Sequence, residues 1–330
     1  MIHGLVKPSL AQAGKIKIGG LGREMTSRKG NKFRPPEKFD HFVITTQLRQ
    51  NPRDQKSDLI IDEAMMAALQ KDQDGKCRVI PIILHSDEIE EVFPTDLAAY
   101  AGKSLACKGD GKKATRWTFS NGTRTDQTKE CVCPCPYLEQ KKCKPHGRLY
   151  CSINLPGQAI AGAVHVWRTT SIISIQQMTA SLEQIKSMVG SLRGVPLVLR
   201  VLPVQVSPEG KSTTVYVCHV ELRASDLLEV QQRVLQRREM ERQLNGSAPR
   251  LHLPSLADES PEEMADTADE FYPPEYEQDE VQDAEYAERE PGDDDPDFVP
   301  AHALLGKLKN VEEKLAATFN GSVKEEGVPG

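Results

Sequence analysis

Charge divides this chain into two unlike parts. Residues 1–240 carry 35 Lys+Arg against 24 Asp+Glu, while residues 241–330 carry 7 against 24. The overall charge of −6 therefore hides a body at +11 joined to a tail at −17. From 251 to 300 there are nineteen acidic residues, one basic residue and several prolines. Such a segment repels itself and offers little apolar surface, so it is expected to be disordered. The folded part is sought in residues 1–245, a length that suits one large domain or two modest ones. A basic body also points to a polyanionic partner.

MIHGLVKPSL lacks the apolar core of a secretory signal. The most apolar run, VPLVLRVLPVQV, is broken by Arg200 and Gln205, so no membrane partner is expected and a cytoplasmic location is the default. Strands are expected around Lys15–Ile18 and Phe39–Gln47, in CRVIPIIL and in AIAGAVHVWRT. LIIDEAMMAALQ reads as a short helix. TTS then caps a helix from about Ile173 to Leu192, with Ile175, Met178, Leu182, Ile185 and Val189 near helical spacing and Gly194 as a stop. PLVLRVLPVQV and TTVYVCHVEL form a hairpin across SPEGKS. Ser225 opens a second helix, DLLEVQQRVLQRREMERQL. Leu304, Leu308, Val311 and Leu315 suggest a short amphipathic helix in 301–330.

Five of the eight cysteines fall in ECVCPCPYLEQKKCKPHGRLYC. In a reducing compartment such a cluster favours metal over disulfides. Cys131, Cys133 and Cys135 alternate with Val132 and Pro134, and Cys143 follows. In a straight strand the alternate thiols stand almost 7 Å apart, too far for one zinc with sulfurs at about 2.3 Å, so the chain must curl. Pro134 and Pro136 favour that bend. Cys107, in ACKGDGKK, is a further candidate thiolate and His146 a candidate nitrogen. The expected cofactor is structural Zn2+, held by four members of the set Cys107, Cys131, Cys133, Cys135 and Cys143, or by His146 in place of one. The spacing leaves the choice open. Cys151 and Cys218 lie in apolar strand-like runs and read as core, and Cys77 is uninformative.

The metal would brace a charged segment with little core of its own. Residues 103–148 hold eleven Lys+Arg and four Asp+Glu. Lys108, Lys112, Lys113, Arg116, Lys141, Lys142, Lys144 and Arg148 would share one projection with Trp117, Phe119 and Tyr137. Cations interleaved with aromatic rings suit a nucleic-acid backbone with stacked bases. With Arg168 and Trp117 these cations form the candidate nucleic-acid-binding set. A solvated basic face is the plainer reading of each one.

Catalytic motifs fail. SPEGKST lacks the first glycine of a P-loop, since Gln205 occupies that place, and its context is a hairpin. GGLG lacks the third glycine of a dinucleotide fingerprint. HExxH and GxSxG do not occur. No enzyme is expected. The fold expected is α+β: a mixed or antiparallel sheet with two main helices. A cysteine-rich, zinc-stabilised insert at 103–151 lies within the body (1–245). A disordered acidic linker (246–300) and the terminal piece (301–330) complete it.

MIHGLVKP, CKGDGKKATR, the CPCP…CKPHGRL segment and WRTTSIISI followed by a helix occur in an order that resembles the phage recombination directionality factor-like family, over roughly residues 1–225. Its members often bear the label "hydrolase or metal-binding protein". The resemblance implies a non-catalytic accessory of DNA recombination in a bacterial host, encoded by a phage or mobile element. Such a factor binds a serine integrase and shifts it from integration toward excision. By position, Cys107, Cys135, Cys143, Lys144, Pro145, Gly147, Arg148 and Leu149 match the family's cysteine segment. Arg168, Thr169, Thr170 and Ser171 match its strand-to-helix motif. Cys131 and Cys133 are additional. The alternative is a zinc-containing single-stranded DNA-binding protein of replication or recombination, with an acidic tail that recruits partners.

Overall fold

The computed structural model describes residues 10–22, 25–26, 32–33, 36–51, 59–120, 123–131, 135, 142–156, 162–207, 212–224, 227–243, 256 and 259–272. Strands β1 (Ala11–Leu21) and β4 (Pro36–Arg49) are separated in sequence by the paired two-residue strands β2 (Met25–Thr26) and β3 (Lys32–Phe33). Next come β5 (Leu59–Ile61), helix α1 (Glu63–Ala68), β6 (Val79–Ile83) and helix α2 (Ile89–Val92). Four strands follow: β7 (Thr95–Ala101), β8 (Ser104–Gly109), β9 (Lys113–Ser120) and β10 (Thr123–Glu130). Then come β11 (Cys143–Ile153), β12 (Ala163–Thr169), α3 (Ile172–Val189), β13 (Leu197–Val206) and β14 (Thr213–Leu222). The helices α4 (Leu227–Gln243) and α5 (Pro261–Phe271) close the described chain.

The main sheet runs β10-β9-β8-β7-β11-β12-β1-β4-β5, and the branch β6-β13-β14 joins it at the end of β11. β1 and β12 are parallel, while the other pairs among the described strands are antiparallel, so the sheet is mixed. The protein is therefore α+β.

Strand alternation sorts the sheet into two faces. On one face Leu149, Cys151 and Ile153 of β11 join Trp167, Ile16, Phe42 and Ile44 in the main core. Helix α3 covers this core with Met178, Leu182, Ile185 and Val189, as their helical spacing predicts. Ser171 begins α3 by accepting from the Ser174 N–H at 3.3 Å. Gly190, at φ +75°, ends it in the left-handed region. That glycine stops the helix three residues before the expected Leu192. Gly147 serves the same core differently: a Cβ there would lie 2.6 Å from the Phe93 ring. Its absence lets Phe93 lie against the strand and stack on Trp167.

Two expectations differ from the structure. Ser104–Gly109, Lys113–Ser120 and Thr123–Glu130 form strands continuous with the main sheet, not an insert with little core of its own. Tyr100 and Leu105 are buried there in a second cluster, with Trp117 packed against it. Glu259–Tyr272, inside the stretch read as disordered linker, contains α5, because its carboxylates find cations and its Met264 and Ala268 join that second cluster. The terminal helix expected in 301–330 lies outside the described residues. Among the described residues, no helix is long and apolar enough to cross a membrane.

Candidate functional site: a cationic sheet face under an acidic helix

The second face of the sheet carries the polar side chains of the same strands. On β11 these are Lys144, His146, Arg148 and Tyr150, alternating with the core residues. Arg148 is directly opposed to Arg168 on β12. The β12–β1 register, which pairs Trp167 with Ile16, brings Lys17 beside Arg168. Like charges side by side across strands destabilise a sheet. Arg148, Arg168 and Lys15 are nevertheless 1%, 7% and 3% exposed.

Helix α5 supplies the missing anions. Ser260 caps it, accepting from the Glu263 N–H at 3.2 Å, and Pro261 takes the first helical position. Glu263, Asp266 and Glu270 then recur three and four residues apart, on one side of the helix. Glu263 meets Arg168, and Lys15 at 3.1 Å. Asp266 meets Lys15, Arg168 at 3.4 Å and Arg49 at 3.2 Å. Glu270 meets Lys17 at 3.3 Å. Glu259, just before the cap, reaches Arg148 at 3.3 Å and Arg168 at 3.7 Å. Asp96 on β7 also pairs with Arg148, at 3.3 Å.

Burial alone would raise the pKa of Asp266, but Lys17, Lys15 and Arg168 outweigh it and hold the carboxyl below its ordinary 3.8. Glu263 is lowered in the same way, with Arg168 and Lys15 outweighing burial. Arg168 is raised despite its burial, by Glu259, Glu263 and Asp266. The charged forms of Glu263, Asp266 and Arg168 thus support one another despite their burial. Removing one member of a buried ion pair typically costs about 3–5 kcal/mol, because the other is left uncompensated.

The helix C-terminus is anchored by hydrogen bonds that involve no carboxylate. Tyr272 donates to the Ala98 carbonyl at 2.7 Å, so its oxygen accepts from His146 Nε2 at 2.7 Å. This chain of donors places a proton on His146 Nε2. Burial, then Arg148, Arg168 and Lys144, push its pKa down to about 3. Lys144 donates to the Phe271 carbonyl at 2.7 Å.

Of the candidate nucleic-acid-binding residues, the structure gathers Lys144, Arg148 and Arg168 beneath the chain's own acidic segment. Lys112, Lys113 and Lys142 are exposed. Lys108 pairs with Asp96 at 3.3 Å. Arg116 hydrogen-bonds Cys107, and Trp117 packs against the second cluster. Lys141 lies outside the described residues. Sequence reasoning missed Lys15, Lys17 and Arg49, and missed α5 entirely. The signal was present in Ser260-Pro261-Glu262-Glu263, a capping-box pattern with proline at the first helical position.

On the opposite face of β7, β8 and β11, Cys107, Cys131, Cys135 and Cys143 line one cavity of about 50 Å³. Cys133 lies outside the described residues. Burial raises the Cys107 thiol pKa, and Arg116 offsets part of that rise. Among the described residues, no three His, Cys, Asp or Glu side chains stand close enough together to form a coordination shell as placed. His146 is turned away, on the α5 face.

Fold and site together define an α+β protein with a mixed sheet whose charged face is closed by its own acidic helix. The chain belongs to the Gp3-like, recombination directionality factor-like family, whose model matches residues 13–223. The match spans β1 to β14, and helices α4 and α5 lie outside it. No curated protein and no solved structure matches the chain.

Proposed function

We propose that the protein is a non-catalytic accessory of site-specific DNA recombination that acts on a serine integrase and shifts it from integration toward excision. The family match over residues 13–223 carries this reading. Such a factor works by binding two synaptic arrangements with different affinity, since a ligand shifts an equilibrium only by that difference. The geometry favours protein contact over capture of a DNA strand. Lys144, Arg148 and Arg168 are committed to Glu259, Glu263, Asp266 and the Phe271 carbonyl. A nucleic acid would have to displace α5 to reach them.

The test is an in vitro recombination assay with a serine integrase from the same mobile element. With the protein present, excisive recombination between attL and attR sites is expected to appear and integrative recombination between attP and attB to fall. If neither direction changes, the reading is wrong. In parallel, anisotropy with a fluorescent single-stranded oligonucleotide is expected to show weak binding by the full chain. Tight binding that falls steeply with salt, without any effect on the integrase, would favour the single-stranded DNA reading instead.

A further inference from the structure

The thiol-lined cavity is independent of the ionic face and of the recombination reading. Its walls come from two parts of the chain. Cys143 and Cys107 are both paired in register with Ala99, one on each side of β7. Directly opposed residues share a face, so the two thiols flank a position that carries only a methyl group. Gly109, further along β8, adds room: a Cβ there would lie 3.0 Å from the Cys131 sulfur. Cys131 and Cys135, beyond the end of β10, complete the lining.

The cavity's size and charge narrow what it can hold. At about 50 Å³ it is far below the roughly 300–1,000 Å³ of small-molecule pockets. It has room for an ion but not for an ordinary small-molecule ligand. Arg116 and Lys129 border it beside Glu130, so cations are at hand to offset thiolate charge. Sulfur donors select zinc over hard cations such as magnesium and calcium.

We propose that Cys107, Cys131, Cys135 and Cys143 form a structural zinc site that pins the end of β10 to β8 and β11. Closing the shell requires the thiols to turn inward over Ala99, toward sulfur–zinc distances of about 2.3 Å. Four protein ligands leave no open position for substrate or water. Each thiol gives up its proton on binding, so affinity falls in acid.

The test uses the full chain, purified under reducing conditions without chelator, with metal content measured by inductively coupled plasma and native mass spectrometry. One zinc per chain is expected. Cys107→Ser and Cys143→Ser are expected to lose it, and Cys218→Ser, a change in the buried core on β14, to keep it. A folded chain free of metal, iron in place of zinc, or zinc retained by both variants would overturn the site. Should the serine variants not fold, Co2+ added to the chelator-stripped, reduced wild-type chain decides. The intense thiolate-to-cobalt absorption of a tetrahedral site supports the proposal, and its absence overturns it.

Discussion

His146 is held neutral at a place where protonation would be felt at the end of helix α5. Its ordinary pKa is 6.5 and its folded value is pushed down to about 3. The unfolded chain therefore takes up this proton first as pH falls. The stability that depends on neutral His146 is fully present above about pH 6.5 and is lost as pH falls toward the folded value. Each unit in that window is worth up to about 1.4 kcal/mol. Denaturant unfolding is expected to show a loss on the order of 2 kcal/mol between pH 7 and pH 5. His146→Gln, which keeps a donor without the titration, is expected to flatten that slope. Asp266 and Glu263, whose pKa values are lowered from 3.8 and 4.5, add a further loss only at more acid pH. An equal slope in the variant assigns the pH dependence to other groups.

At the scale of elements, α5 shows how a helix can hide in a tail. Its anchoring groups are carboxylates, which by composition look like a solvated, self-repelling run. The cations they meet are more than two hundred residues away at Lys15 and Lys17, a juxtaposition that no local pattern announces. Only the cap at Ser260 is local. Ser260→Ala is expected to weaken the helix by about 1 kcal/mol, read as faster amide exchange over Pro261–Phe271 with exchange in α3 unchanged. Equal exchange in both chains argues that the cap does not hold α5. By contrast α3 was legible, because Met178, Leu182, Ile185 and Val189 repeat at helical spacing over a core and Ser171 marks its start. So was the β13–β14 hairpin, with its apolar, β-branched strands. β10 was not. TRTDQTKE is paired along its length with β9, but its described side chains are exposed, so the strand has no buried face to print a two-residue apolar rhythm. The cysteine cluster was legible as a cluster. The register that sets Cys107 and Cys143 astride Ala99 needs the β8–β7–β11 order, which spacing along one chain cannot give.

Across the whole molecule, the ionic face couples the tail to the body. Arg148, Arg168, Lys15 and Lys17 come from three neighbouring strands, and α5 spans them. Reversing the helix charge with Glu263→Lys and Asp266→Lys sets cation against cation and is expected to detach it. The variant should then elute from heparin at higher salt than the parent chain, since exposed cations release more counterions from a polyanion. Unchanged elution means that the face stays covered by other contacts.

Strand β11 links these regions. Cys143 opens it at the thiol cavity, Lys144 and Arg148 look toward α5, and Leu149 and Ile153 enter the main core. Its meaning rests on parity, because each step along the ribbon turns a side chain to the other face. Deleting one residue between Cys143 and Arg148 would put the two out of step, so that either the thiol turns to the α5 face or the guanidinium turns into hydrocarbon. Because both faces of this ribbon are packed from His146 onward, it has almost no tolerance for a change in length.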